Sequence, residues 1–264
     1  KIVKDLNSSY LTIQGPPGTG KTYTSASMII ALIKDGKRVG VTSNSHEAIK
    51  TLLIEIEKQA SLPDNKEFTF KGFRKAKSGE KKTEWQYITD ADKKPDDLND
   101  YSLYAGTSWF FVNPQMHQSL DYLFIDEAGQ VALGTTIANA TSTKNLVLIG
   151  DQMQLSQPIR AKHNGYARKS SLDFVLENLD TIPPEKGIFL NTTRRLNKKI
   201  CKFISDSFYE SRLNSHEVAT SRSVKLKLEP IKDEGIFYVP IDHNGCSQRS
   251  DEEADLVEKM FNKT

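Results

Sequence analysis

Gly15-Pro16-Pro17-Gly18-Thr19-Gly20-Lys21-Thr22 decides the fold, because the octet fits G-x-x-x-x-G-K-[ST] in full. It follows an apolar run, Tyr10–Gln14, that reads as a strand, and it precedes a helical pattern carrying Ala26, Ile29, Ile30 and Ile33. Strand, glycine-rich turn and helix in that order are the setting in which such a loop cradles phosphate. Glycines let backbone N–H groups turn inward around an anion, and the helix start adds partial positive charge. Lys21 then reads as a point charge for the β- and γ-phosphates, and the Thr22 hydroxyl as a ligand for Mg²⁺. The octet therefore marks a nucleotide site, with Mg²⁺ expected beside it.

Outward from the loop, the second half of such a site is an acid at the end of a neighbouring strand. The run at 122–125 ends in Asp126-Glu127. Asp126 is expected to hold Mg²⁺ through water and Glu127 to polarise the attacking water. A third polar loop, 150–157, also follows a buried-type run, Leu146-Val147-Leu148-Ile149. Gln154 within it is expected to contact the γ-phosphate. Further on, Thr193-Arg194-Arg195-Leu196 precedes an amphipathic pattern, and two arginines at a helix start oppose the dipole preference, which hints at an anion partner.

Short apolar runs alternating with helical patterns give an α/β class with a parallel sheet. Candidate strands are 10–14, 39–42, 102–106, 122–126, 146–150 and 188–190. Four stripes read as helix faces packed in a core: Ile49, Leu52, Leu53 and Ile56; Leu172, Val175, Leu176 and Leu179; Ile200, Phe203, Ile204 and Phe208; and Ala254, Val257 and Phe261. One stretch breaks the rhythm. From 66 to 82 seven basic residues face only Glu67 and Glu80, and from 84 to 100 six acids face Lys93 and Lys94. Such runs are usually solvated faces, and the rival reading is a small subdomain whose basic half touches a polyanion. Pro183-Pro184 reads as a linker, with 235–240 starting another sheet. The division expected is a first ATPase domain at 1–59 and 102–184, an accessory insertion at 60–101, and a partial second domain at 185–264.

The 264 residues are 37% apolar and 27% charged, enough to bury a core and too balanced for a disordered chain. The longest unbroken apolar run, 28–33, is far short of the ~20 residues of a spanning helix, so no membrane partner is expected. Cys201 and Cys246 are too few for a disulfide framework or a four-cysteine zinc site, and a cytoplasmic setting fits. Net charge is +2, so any nucleic-acid site is local. With Lys1 rather than Met first and no targeting pattern ahead of the first strand, the chain reads as cut from something longer.

Those blocks in that order resemble a superfamily 1 helicase, in the branch of the nonsense-mediated-decay RNA helicase and the DNA-replication helicase-nuclease. Motif I is 15–22, motif Ia Val41-Thr42-Ser43-Asn44-Ser45, motif Ic Ala105-Gly106-Thr107-Ser108, motif II Asp126-Glu127-Ala128-Gly129-Gln130, and motif III 150–157. Thr193-Arg194-Arg195-Leu196 follows, with Phe203, Ser205, Phe208, Tyr209 and Leu213 at the family's spacing. Ala105-Gly106-Thr107-Ser108-Trp109-Phe110-Phe111 and motif II are also similar to microbial proteins that fuse this helicase to a RecB-like nuclease.

The resemblance implies RecA-like P-loop domains, with ATP between two of them and single-stranded nucleic acid as partner, DNA favoured over RNA. It implies that Lys21, Glu127, Gln154 and Arg195 serve catalysis, Arg195 reaching the γ-phosphate. Gly15, Pro16, Pro17, Gly18, Thr19, Gly20, Lys21 and Thr22 bind ATP, with Arg194 standing where the family usually stacks an aromatic on adenine. Thr22 and Asp126 hold the metal. Thr42, Ser43, Asn44, Thr107 and Ser108 hold the strand backbone. The chain is expected to be a monomer, with a fused nuclease domain outside it, and to turn over ATP poorly by itself. The rivals are a nucleic-acid-binding scaffold or another P-loop ATPase without unwinding activity.

Overall fold

A computed structural model describes residues 1–95, 97–155, 165–221 and 235–261. Strands that run parallel need crossovers, and the chain supplies them: β1 (Tyr10–Gln14) leads into α1 (Lys21–Lys34), and β2 (Val39–Thr42) into α2 (His46–Ala60). Next come β3 (Gly72–Lys75), β4 (Ile88–Ala91), β5 (Leu103–Ala105) and the single turn α3 (Ser108–Phe111). The sheet is completed by β6 (Leu120–Ile125), α4 (Leu133–Ala140), β7 (Thr143–Gly150), α5 (Ser171–Leu176) and the two-residue β8 (Ile188–Phe189). The order across the eight strands is β4-β3-β5-β2-β6-β7-β1-β8, and the neighbouring strands pair in parallel. The α/β reading is therefore correct.

A parallel sheet must bury both faces, and the pleat sorts alternate side chains between them. Tyr122 and Phe124 of β6 join a cluster with Ile29, Leu53 and Val147, while Leu123 and Ile125 join another with Phe111, Leu148 and Leu172. The stripe Ile49, Leu52, Leu53 and Ile56 is buried on α2, whose start is capped by Ser45 accepting from Ala48 N at 3.1 Å. On α5, Leu172 and Leu176 are buried, but Leu179 lies past the helix and is exposed, because Glu177 adopts a left-handed φ of 59° that ends the turn.

The stretch 60–101 departs from expectation. It is not an excursion off the sheet: β3 pairs with β5, and β4 forms the sheet's outer strand beyond it. The charge runs hide this because one charge from each is turned inward and paired. Arg74, fully buried on β3, donates to Asp90 of β4 at 3.2 Å and to Glu80 at 2.8 Å. Asp90 also accepts from Trp85 Nε1 and Thr83 N, both at 2.9 Å.

The chain divides into two compact units at Asn191/Thr192 rather than at 184/185, because β8 pairs with β1 and stays with the first sheet. The second unit contains β9 (Thr192–Thr193), α6 (Lys198–Phe208), β10 (Asn214–Ser215), α7 (Glu217–Thr220) and α8 (Asp251–Phe261), with β9 and β10 parallel. Here the stripe on α6 is not core. Phe203 and Phe208 are exposed, and the buried side carries Cys201 and Ser205, held to the Leu213 segment by Leu213 N donating to Ser205 Oγ at 2.9 Å. Val257 on α8 is also exposed, and the Phe261 side chain lies outside the described residues. No strand forms at 235–240. No helix among the described residues is long and apolar enough to cross a membrane.

Candidate nucleotide site

Ligands of open α/β sheets bind beyond the carboxyl ends of the strands, and three adjacent strands here end in polar loops. β1 ends in the glycine-rich loop, β7 in Gly150-Asp151, and β6 in Asp126-Glu127; β7 lies between the other two. Backbone contacts bind these loops together. Gly15 N donates to Gly150 O at 2.8 Å. A Cβ on Gly150 would lie 2.8 Å from both Ala128 N and Gly129 N, and one on Gly129 only 2.6 Å from Asp151 O. Only glycine at both positions lets the second and third loops approach this closely.

The phosphate loop has the expected form. Gly18 and Gly20 take left-handed φ values of 78° and 84°, which a side chain would resist. Thr19 Oγ1 donates to Pro16 O at 2.7 Å, fixing the turn from within. Lys21, the first residue of α1, folds its ammonium back to donate to Gly15 O at 2.8 Å. A neutral carbonyl thus holds a cation against the glycine-rich turn at the start of α1, an arrangement suited to a phosphate. Pro16 is buried, while Pro17 and Thr22 are partly exposed.

Asp126 is buried, and its backbone N donates to Thr42 O at 2.9 Å, tying β6 to the end of β2. Burial, then the adjoining Glu127 charge, pushes its carboxyl from the ordinary 3.8 up to about 6, against the pull of Lys21. A buried carboxylate short of positive charge beside a second acid fits a divalent cation, with the Thr22 hydroxyl as the partner donor. Glu127 itself sits at a left-handed φ of 54°, unusual for a residue with a side chain. Backbone strain of this kind persists only where the surroundings enforce it.

Gln154 is partly exposed and donates from Nε2 to Asp151 Oδ2 at 3.1 Å. Ser156 and Gln157, the end of the third loop, lie outside the described residues. Sequence reading missed Gln14. It is fully buried, its amide donating to Gln152 Oε1 and Asp180 O while its carbonyl oxygen accepts from Ile182 N at 2.6 Å. It joins the base of the phosphate loop to the third loop, and a polar residue closing a strand carries no signal of that. Asp151, 2% exposed, was likewise passed over.

The residues assigned to the strand divide. Thr42 and Ser43 are buried, their hydroxyls without partners, so these side chains face the interior. Asn44 is exposed and donates from Nδ2 to Gln130 O at 2.6 Å. Thr107 and Ser108 are partly exposed, with Ser108 Oγ accepting from Asn139 Nδ2 at 3.0 Å. Arg194 and Arg195 belong to the second unit; both are exposed, and Arg195 N donates to Thr193 Oγ1 at 3.2 Å.

A parallel sheet with a phosphate loop after β1 and an Asp-Glu pair after β6 defines a P-loop nucleotide-binding protein. The chain belongs to the AAA domain family, whose profile matches residues 2–164. It is 26% identical over 231 residues to the DNA replication ATP-dependent helicase/nuclease DNA2 of Xenopus laevis, covering 83% of this chain and 21% of that protein. It is 28% identical over 234 residues to the DNA replication ATP-dependent helicase/nuclease JHS1 of Arabidopsis thaliana, covering 84% and 17%. The chain spans about a fifth of the length of these curated relatives. Among solved structures it is similar to the PRRSV helicase, at 17% identity and TM-score 0.48 over 85% of this chain and 40% of that one.

Proposed function

We propose that this chain is the ATP-hydrolysing motor part of a superfamily 1 helicase that acts on single-stranded nucleic acid, in the branch that includes the DNA-replication helicase-nucleases. The observation that carries the reading is the joining of three loops at the ends of β1, β7 and β6, through Gly15 N to Gly150 O and the close approach of Gly150 to Ala128 and Gly129. Similarity to DNA helicase/nucleases over most of the chain supports the helicase class and favours DNA as the strand.

In this reading Lys21 exchanges the Gly15 carbonyl for β- and γ-phosphate oxygens of ATP. Thr22 and Asp126 would hold Mg²⁺, which when bound offsets phosphate charge. Glu127 accepts the proton of the water that attacks the γ-phosphorus, and the bond to the β-phosphate oxygen breaks to leave ADP and phosphate. Gln154, tethered to Asp151, reports the γ-phosphate to the third loop. Arg195 at the γ-phosphate and Arg194 at adenine enter through the resemblance. Asn44, Thr107 and Ser108 remain the strand contacts, with Thr42 and Ser43 supporting them from beneath.

Single-turnover hydrolysis of radiolabelled ATP by wild type and Glu127→Gln tests the chemistry. The variant keeps the shape and removes the base, so its rate should fall by ~10²-fold or more while ATP still binds. Equal rates would remove Glu127 from the mechanism. Strand affinity measured with and without a non-hydrolysable ATP analogue tests the motor, since coupling must appear as a change in one when the other binds. Identical strand affinities in the two states would leave a scaffold.

A further inference from the structure

Three lysines from two strand ends line one cavity of about 310 Å³ on the first unit: Lys75 closing β3, Lys77 just beyond it, and Lys94 after β4. His46 at the start of α2, Thr107 and Trp109 form other parts of the wall, and no carboxylate lines it. None of the three ammonium groups forms an ion pair among the described residues; Lys77 meets Glu80 only through its backbone N, which donates to Oε2 at 3.1 Å. Lys75 Nζ donates to Ala76 O at 3.3 Å, and Lys94 Nζ to Asn113 Oδ1 at 3.0 Å and Gln115 Oε1 at 2.8 Å. No ion pair among the described residues offsets these three charges, in contrast to Arg74 nearby, which Asp90 and Glu80 neutralise.

Trp109 is 85% exposed although its neighbours Phe110 and Phe111 are buried. Those two rings pin α3 to the core and turn the indole outward into the cavity mouth. Thr107 precedes α3 without using its side chain to cap it, which leaves a hydroxyl at the same wall. The cavity opens at the carboxyl ends of β3 and β5, on the same edge of the sheet as the nucleotide loops.

Three cations beside an exposed indole match a polyanion that also presents flat apolar faces. Single-stranded nucleic acid has both, its bases being free to stack and its phosphates regularly spaced. A duplex hides its base faces, and an acidic peptide would use the lysines but leave the indole idle. We infer that this groove seats a nucleotide of the single strand, with its base on Trp109 and flanking phosphates on Lys75, Lys77 and Lys94. The inference rests on the strand-acting reading above and names a gripping site that involves none of the five strand contacts assigned from sequence except Thr107.

The test titrates residues 1–264 with labelled oligo-dT and oligo-U, following anisotropy and indole emission. Trp109→Leu should weaken binding ~5- to 100-fold and abolish quenching of the indole by the strand, with Trp109→Phe retaining most of the affinity. Replacing Lys75, Lys77 and Lys94 by Gln should flatten the log–log salt slope by about 2. Unchanged circular dichroism in Trp109→Leu shows that the fold persists. A loss with both oligomers, or with one, supports the groove and says which sugar it accepts. Strand binding by the wild type that ignores both the indole and the lysines overturns the groove alone. No strand binding by the wild type even at low salt overturns the strand-acting reading and the groove together.

Discussion

Asp126 shows what one buried carboxyl does to its protein. Burial and the Glu127 charge raise it to about 6, so the folded protein binds that proton more tightly than the unfolded chain does. The favourable contribution is complete below about pH 4 and is lost as pH rises through about 6. At pH 7.5, without metal or nucleotide, ionised Asp126 therefore costs ~2–3 kcal/mol. Asp126→Asn should unfold at a higher urea concentration than wild type at pH 7.5, with the gap closing below pH 4. A variant less stable than wild type at pH 7.5 would show that the carboxylate is already compensated. The acids, Lys21 and Thr22 were legible in the sequence because this chemistry needs fixed residue types at fixed spacing. Gln14 was not, since its role lies in three contacts to residues far along the chain.

At the scale of elements, β1 and β2 were read with their observed limits, Tyr10–Gln14 and Val39–Thr42, because each is a short, mainly apolar run that gives way to a polar turn and then a helical pattern. β3 and β4 were hidden by Arg74 and Asp90, which a periodicity argument counts as solvent-facing. Only the pairing across the two strands shows that both charges belong inside. Removing one partner of such a pair leaves a buried charge, at a cost of ~3–5 kcal/mol. Arg74→Ala should lose that much in urea unfolding, through the stranded Asp90 carboxylate. A loss under ~1 kcal/mol would place water beside Asp90 in the variant. The α6 stripe erred in the opposite direction: its spacing is helical and the helix forms, but hydrogen bonds to the Leu213 segment select a different buried side.

For the whole molecule, the first unit holds the phosphate loop, Asp126, Glu127 and Gln154, while Arg194 and Arg195 belong to the second. The described residues of that second unit contain one two-stranded sheet, so the reading of a partial second RecA-like domain rests on the resemblance. Beside Arg195, the resemblance calls for a second arginine finger from the later motifs of the second motor domain, and an arginine supplied at the γ-phosphate is worth ~10³–10⁵ in rate in other P-loop enzymes. Residues 1–264 are accordingly expected to bind Mg²⁺-nucleotide, turn it over slowly with little stimulation by single strands, and displace no strand. Robust strand-stimulated turnover in a steady-state assay would mean that these residues already form a complete motor. The central claim is that the loops after β1, β6 and β7 form one ATP site around Lys21. Equilibrium titration with a fluorescent ATP analogue in Mg²⁺ tests it most directly: wild type and Glu127→Gln should bind with similar affinity and Lys21→Ala at least ~10-fold more weakly, because a charge-assisted contact is worth ~1.5–3 kcal/mol. Equal affinity in wild type and Lys21→Ala would contradict the account.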